Sequence, residues 1–295
     1  MVLTSVSCSR HNEFKIAQSN DIQNLVQKID SISLAYVSSS GGEDISCQRI
    51  KSPNDGNSDS KKRHDKNNII KQDMLGFGIG VLTGIPEGVI MGTVICPGIG
   101  SATGAAVDAL TSGLAFAVVS SAMAVSGEKD IPNNAVRRRQ GKRYSIKKCE
   151  DTPLFSEDIF GGNIGLYHNL IIQEMWQDFI EKPSSEYAIN YTLDYLEING
   201  ICKYNNRVDI QNILGEKYIL LENDNELHNV NADYKRIIDK YTDTFMNISS
   251  NDEHDYTQSV MKIISQFGLA EEDVLLLNGM LSTYYYSSVL WEEDL

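Results

Sequence analysis

Glycine recurs at every fourth residue through the middle of this 295-residue chain. The register holds seven glycines, with Cys96 at the one missing place: Gly76, Gly80, Gly84, Gly88, Gly92, Gly100 and Gly104. In a solvated helix each glycine costs about 1 kcal/mol relative to alanine. Small residues at this spacing instead let two helix backbones approach closely, as they do inside membranes. The repeat therefore predicts tightly packed helices, with these glycines as the helix-packing residues.

The glycines lie in two long apolar segments. Met74–Cys96 has 23 residues with one charge, Glu87, and Gly98–Ser126 has 29 residues with one charge, Asp108. About 20 helical residues cross the apolar layer of a bilayer. The sequence Cys96-Pro97-Gly98 between the segments is typical of a turn. We therefore predict a glycine-zipper helical hairpin of two membrane-length helices, within residues 71–128.

Basic residues flank both ends of the predicted hairpin. Residues 61–71 hold five lysines and arginines, and residues 129–150 form a basic linker. The predicted membrane-surface residues of the linker are Arg137, Arg138, Arg139, Lys142, Arg143, Lys147 and Lys148. Basic flanks remain on the cytoplasmic side of a membrane, so both termini are expected on the same side. Each basic group near anionic lipid contributes about 1 kcal/mol of attraction.

The two acids of the hairpin are predicted to lie at one depth. A turn at Pro97 places Glu87 and Asp108 each about 15 Å from it, near the bilayer midplane. A charge at that depth costs about 2.5–3.5 kcal/mol, and two like charges raise at least one pKa. We expect these intramembrane acids to favour insertion at acid pH, or to line a cation-preferring pore. The alternative is that both acids face solvent in a soluble state.

Residues 1–70 are polar and are predicted to be largely disordered, with one helix near Ile22–Ile32. The stretch from Ser38 to Asn68 has too few apolar residues to offset the entropy of ordering. The first residues lack the basic start and apolar run of a secretory signal peptide. This Ser-rich start resembles the N-termini of bacterial effectors exported by injection machines, so we expect secretion without a classical signal peptide. A bacterial inner-membrane location is the alternative.

Residues 151–295 are predicted to form an acidic helical domain. Apolar periodicity and end signals predict six helices: Ile164–Ile180, Glu186–Ile198, Val208–Leu214, Tyr234–Ile248, Tyr256–Phe267 and Glu271–Trp291. Tyr218–Leu221 and Leu227–Val230 are expected to form a small β-hairpin. From residue 149 onward the chain has 27 acidic and 8 basic residues, a balance that disfavours nucleic acid and suits a basic protein partner.

The sequence predicts no catalytic residue, metal site or cofactor. The five cysteines are scattered and form no CxxC pair. His168, His228 and His254 lack the partners that metal-ligand spacing requires. Neither a dinucleotide fingerprint nor a phosphate-binding loop is present. Enzymatic activity is left open.

This layout is mainly α and resembles bacterial secreted effectors and toxins that insert a glycine-zipper transmembrane hairpin. The resemblance covers Gly76 to Gly104 and the order of segments. It implies insertion into a target or host membrane, as an anchor or as an oligomeric pore assembled through the glycine stripe. Two alternatives remain. One is an enzyme with its site in residues 151–295 and the hairpin only for localisation; the other is a soluble interaction protein whose hairpin is its own core.

The acid pair gives a first prediction. Replacing Glu87→Gln together with Asp108→Asn removes both carboxyl groups and should move insertion into liposomes to higher pH. Flotation of the protein with vesicles across a pH series measures the shift. An unchanged pH dependence would reject the pair as the acid trigger.

Overall fold

The fold is described from a computed structural model. The ranges that the structure describes are residues 19–40, 58–83, 90–91, 93–96, 100–103, 105–126, 144–204, 207–222 and 232–293. The protein is mainly helical across these ranges. The predicted fold class is therefore confirmed at that level, whereas a membrane hairpin of two helices is not shown.

The first half contains three helices and three short strands. They are α1 (Ser19–Ser40), α2 (Ser58–Thr83), β1 (Ile90–Met91), β2 (Thr93–Cys96), β3 (Gly100–Thr103) and α3 (Ala105–Ser126). The second half contains β4 (Tyr144–Ile146), α4 (Ile164–Glu181), α5 (Ser185–Ile198), β5 (Lys203–Tyr204), α6 (Arg207–Glu222), α7 (Ala232–Phe245), α8 (Glu253–Gln266), α9 (Glu271–Leu290) and β6 (Trp291–Glu293). The strands form three antiparallel pairs, β1 with β5, β2 with β3 and β4 with β6.

Helix α3 is enclosed by other helices. Its side chains from Ala106 to Met123 are buried apart from the partly exposed Ser120, and it packs on α2, α4, α5, α6 and α9. A helix that is apolar on all sides must be covered on all sides, either by protein or by lipid. Within the described ranges, Ala106–Val125 is one helix whose length and apolar composition would suffice to cross a membrane. The core helix of a soluble protein has the same properties.

Helix α2 approaches α3 at two glycines of the four-residue register. A Cβ at Gly76 would lie 2.7 Å from the Phe116 carbonyl oxygen, and one at Gly80 would lie 2.3 Å from that of Ser112. Both distances are too short for a real contact, so a larger residue would force the backbones apart. The antiparallel α2–α3 pair thus depends on small residues at its interface.

The described residues do not show the predicted pair of membrane-length helices. Helix α2 ends at Thr83, and the predicted turn lies between two strands, with Cys96 paired to Gly100. The β-branched run Thr93-Val94-Ile95 favours an extended backbone, which explains why strands form there. Gly100 therefore lies in β3 instead of in a helix. Gly84, Gly88, Gly92 and Gly104 fall outside the described residues.

The N-terminal segment is more helical than predicted. The helix expected at Ile22–Ile32 is confirmed and extends from Ser19 to Ser40. Its stripe of Ile22, Leu25 and Ile29 is buried, because α1 packs on α7 and α8. The disorder predicted from Ser38 to Asn68 is wrong at its two ends, since α1 reaches Ser40 and α2 begins at Ser58.

The helices predicted in residues 151–295 are confirmed. The Ser184 side chain accepts a hydrogen bond from the Tyr187 backbone N–H and caps α5, and α9 begins with three acids. The predicted strand Tyr218–Leu221 is wrong, because it continues α6. Its residue Tyr218 is buried at a four-residue step after Ile210 and Leu214, which is a helical spacing. Residues 227–230 lie outside the described ranges.

One hydrophobic cluster contains residues from the first and last helices alike. Helix α3 contributes the most residues to this cluster, and α9, which is buried along most of its length, contacts α2, α3, α4, α7 and α8. The boundaries predicted at residues 70, 128 and 150 stay predictions, and helices on both sides of them share this cluster.

The close approach of α2 and α3 predicts opposite effects at two helical glycines. Gly80→Ala should lower the free energy of unfolding by about 1–3 kcal/mol, because the methyl group collides with the α3 backbone. The matched control is Gly215→Ala in α6, where the added Cβ meets nothing within 4 Å. This control should raise stability by up to about 1 kcal/mol through helix propensity. Urea denaturation measures both, and equal effects would contradict the glycine-dependent packing.

Candidate functional site

A carboxyl group lies in the apolar interior, on the buried face of α2. Asp73 is fully buried between the apolar side chains of Ile69, four residues before it, and Phe77, four residues after it. Residues four apart share one face of a helix, so the sequence places this acid within the core stripe. A buried carboxyl needs hydrogen bonds or a neutral form to be tolerated.

The C-terminal end of the chain supplies the hydrogen bonds to Asp73. Its Oδ2 accepts a hydrogen bond from the Ser287 hydroxyl of α9 and another, 3.1 Å long, from the Trp291 indole N–H. Among the described residues, neither its Oδ1 nor the buried Ser121 hydroxyl of α3 has a hydrogen-bond partner. Ser121 is still near enough to lower the Asp73 pKa, although the geometry falls short of a hydrogen bond.

A histidine of α4 is buried beside Asp73. His168 is fully buried, and its Nδ1 lies 3.0 Å from Asn169 Oδ1. Asn169 in turn donates from Nδ2 to the Tyr286 carbonyl oxygen at 2.7 Å, which fixes the orientation of the amide. Oδ1 is therefore an acceptor, and we assign the His168 proton to Nδ1. Its Nε2 has no hydrogen-bond partner among the described residues, and the Ala117 carbonyl of α3 lies near enough to the ring to raise the His168 pKa.

Burial disfavours charge on both groups. It raises the pKa of Asp73, and the charge of His168 together with the Ser287 and Trp291 hydrogen bonds opposes the rise. Burial likewise lowers the pKa of His168, and Asp73, Asn169 and the Ala117 carbonyl oppose that change. The environment thus favours a neutral pair. A proton on Asp73 Oδ1 would provide a donor for the unpaired Ser121 hydroxyl beside it.

The cluster continues outward to Cys149. Asn169 Nδ2 lies 3.6 Å from Cys149 Sγ, so an amide stands between the thiol and His168. Burial raises the pKa of Cys149, which leaves the thiol protonated at neutral pH. The arrangement lacks a base in contact with the sulfur, as a nucleophilic dyad would require.

The remaining predicted chemistry lies elsewhere. His254 stacks on Phe155 with ring centroids 5.1 Å apart, and its Nε2 lies 3.1 Å from the Leu154 carbonyl, so this histidine packs against a loop. His228 is outside the described residues. Across the described ranges, no three His, Cys, Asp or Glu side chains are grouped to hold a metal.

The predicted acids and basic residues are only partly described. Asp108 is buried in the first turn of α3, whereas Glu87 falls outside the described residues, so their proximity stays a prediction. Lys147 and Lys148 are exposed beside β4, and Lys148 borders an open surface groove with Trp176 and Gln177. Arg137, Arg138, Arg139, Lys142 and Arg143 fall outside the described residues.

The roles of Asp73 and His168 were not predicted from the sequence. Asp73 stands directly before the apolar segment that begins at Met74. The available signal was its position in the stripe Ile69, Asp73 and Phe77, which places a carboxyl on a core-facing surface. His168 similarly lies within the apolar stripe of α4, between the buried residues Leu166 and Leu170.

Comparisons with known proteins identify no relative. No protein-family model, no curated protein and no solved structure matches this chain.

The contacts of Asp73 predict unequal effects for the two tryptophans. Trp291→Phe keeps an aromatic ring but removes a hydrogen bond to a buried carboxyl. It should therefore lower the free energy of unfolding by about 1–3 kcal/mol. Trp176→Phe is the matched control, since Trp176 is also buried and the structure gives its indole N–H no hydrogen bond. Thermal and urea unfolding provide the comparison. Equal losses would show that Asp73 does not depend on the indole.

Proposed function

We propose that this protein inserts into membranes and that its folded state shelters the inserting helix. One observation supports this proposal most: α3 has the length and composition of a membrane span, and nearly all of it is covered by other helices. A soluble protein that later enters lipid must hide its apolar segment until then. Helices with one polar face, such as α4 and α5, which pack on α3, are suited to form such a cover.

The lengths of the helices indicate which segment would cross first. The 22 residues of α3 extend about 33 Å, enough for the apolar layer of about 30 Å. The apolar part of α2, from Met74 to Thr83, extends about 15 Å and is too short. In the finer form of the proposal, residues 84–96 join α2 on insertion, because Met74–Cys96 is of membrane length. The two helices would then pack through the glycine register as a hairpin.

The setting of this activity follows from the rest of the sequence. The resemblance to bacterial effectors and toxins supports a protein secreted without a classical signal peptide, which inserts into a target or host membrane with both termini on one side. The basic residues at 137–148 would attract anionic headgroups. Assembly through the glycine stripe would produce a pore, whereas a single copy would anchor the acidic helical domain for a basic protein partner.

A soluble interaction protein is the second candidate. The same covered helix favours it, because a helix enclosed by protein on all sides also serves as an ordinary core. The two functions differ in their response to lipid. The described part of the chain gives no added support to the alternative that the protein is an enzyme. Asp73 and His168 are fully buried, where a substrate would not reach them.

Liposome flotation separates the candidates. The purified chain is incubated at neutral and at acid pH with phosphatidylcholine vesicles, with and without phosphatidylserine. We expect flotation at acid pH, strongest on the anionic vesicles. Recovery wholly in the soluble fraction at both pH values, on both compositions, would exclude membrane insertion and support the soluble function.

Leakage of a dye trapped in the vesicles tests the pore. Replacing Gly84 and Gly88 with leucine should abolish leakage, because bulky residues separate the inserted helices. Gly215→Leu is the control, since its surroundings are open and it lies far from the repeat in sequence. Unchanged leakage in the double variant would exclude assembly through the glycine stripe, and flotation without leakage in the parent chain would favour an anchor.

A further inference from the structure

Four helices and one strand converge on the buried pair of Asp73 and His168. Helix α2 contributes the carboxyl group, α4 the imidazole, α9 the Ser287 hydroxyl and β6 the Trp291 indole. Helix α3 contributes the buried Ser121 hydroxyl, which lies near Asp73 without a hydrogen bond, and the Ala117 carbonyl, which lies near the His168 ring. Any change of charge at this pair therefore acts on the packing of α3.

We propose that Asp73 and His168 form an acid-sensitive latch that holds α3 inside the fold. The inference rests on the proposed function, because it names what would regulate the release of the inserting helix. It assigns the acid trigger to Asp73 and His168, whose surroundings the structure describes, instead of to Glu87 and Asp108. While Asp73 and His168 are both neutral, the latch is closed and α3 stays packed in the fold. A further proton on His168 would place a cation in the core, and the latch then opens.

The two groups respond to pH with opposite signs. His168 has a lowered pKa, so the opened chain binds a proton below about 6.5, the ordinary histidine value, while the folded chain does not. This contribution to stability is lost as the pH falls. Asp73 has a raised pKa, so the folded chain binds its proton before the opened chain does. This contribution is gained as the pH falls, until the opened carboxyl also protonates near 3.8.

The sum of these contributions sets the threshold. Between about 6.5 and 3.8, protonation of Asp73 in the folded chain offsets the acid lability due to His168. Below pH about 3.8, Asp73 is protonated in both the folded and the opened chain, so its contribution to stability no longer changes. The free-energy cost of keeping the buried His168 neutral continues to grow as the pH falls. Asp73 therefore moves the opening of the latch from the pH range of a histidine towards that of a carboxyl.

The other groups around the pair are polar or distant along their helices. Cys149 is reached through Asn169, and its raised pKa keeps it neutral. From α9 the cluster receives a hydroxyl and the Tyr286 carbonyl, whereas the acids of α9 lie in its first turn, far from Ser287. On α3, Asp108 lies nine residues before Ala117, about 13 Å along the helix. Among these groups, Asp73 and His168 are the two whose charges act on each other.

Two variants of the full chain test the latch. Asp73→Asn removes the offset and should raise the pH midpoint of acid unfolding by about one to two units. His168→Gln removes the acid-labile group and should lower the midpoint or abolish the transition. Two controls, Asp239→Asn at an exposed site and His254→Gln at a half-buried site outside the cluster, should shift it by much less. Circular dichroism follows helix content, and tryptophan fluorescence in a Trp176→Phe background reports the surroundings of Trp291.

Shifts in opposite directions would support the latch, and shifts in one direction or none would overturn it. If Asp73→Asn fails to fold, the NMR titration of the His168 ring in the unaltered chain decides instead. In that titration, the His168 ring of the folded state should stay neutral and Nδ1-protonated well below pH 6.5. A ring that gains its second proton near pH 6.5 would overturn the proposal.

Flotation of the same variants separates this inference from the proposed function. The onset of flotation should move with the unfolding midpoint, to higher pH for Asp73→Asn and to lower pH for His168→Gln. Moved midpoints without flotation at any pH would keep the latch and reject membrane insertion. Flotation with an unmoved onset would keep insertion and reject the latch.

Discussion

The close contact between α2 and α3 is the constraint on which the rest of the fold depends. Because Gly76 and Gly80 carry no side chain, the α2 backbone lies against the carbonyls of Phe116 and Ser112. This contact covers one side of an apolar helix that would otherwise require lipid. Phe77, next to Gly76, packs against Gly279, where a Cβ would lie 2.2 Å from the ring. Glycine thus sets both interfaces of α2.

The position of the polar cluster follows from this packing. Asp73 lies one helical turn before Phe77, so the same rotation of α2 that places the ring against α9 brings the carboxyl to Ser287. Burying an isolated charge would cost several kcal/mol, and the donors on α9 and β6 offset only part of that cost. The cluster therefore joins the middle of the chain to its end. It also places two titratable groups, Asp73 and His168, in the core, which a purely apolar core would lack.

Some segments could be predicted from the sequence and others could not, and the difference has physical reasons. Helices α4, α5 and α7–α9 were predictable because their apolar stripes and end signals are local, as with Ser184 and the positive-φ glycines Gly200 and Gly268. The strands β2 and β3 were missed because a regular glycine register was extended through a β-branched run. The roles of Asp73 and His168 were missed because their partners lie up to 218 residues away in the sequence. Local patterns predict elements, whereas a buried pair depends on how those elements meet.

A glycine register indicates close packing without specifying whether protein or lipid surrounds the helices. The polar residues of α3 bear on that difference. Ser112 donates its hydroxyl to the Asp108 carbonyl within the helix, so this bond would persist in either environment. Ser121 has no such bond and lies beside Asp73. The end of α3 near Ser121 thus carries an unpaired hydroxyl beside a buried carboxyl, while Ser112 satisfies its own hydroxyl within the helix. In the proposed release of α3 into lipid, Ser112 would therefore keep its hydrogen bond, whereas Ser121 would lose the neighbouring carboxyl.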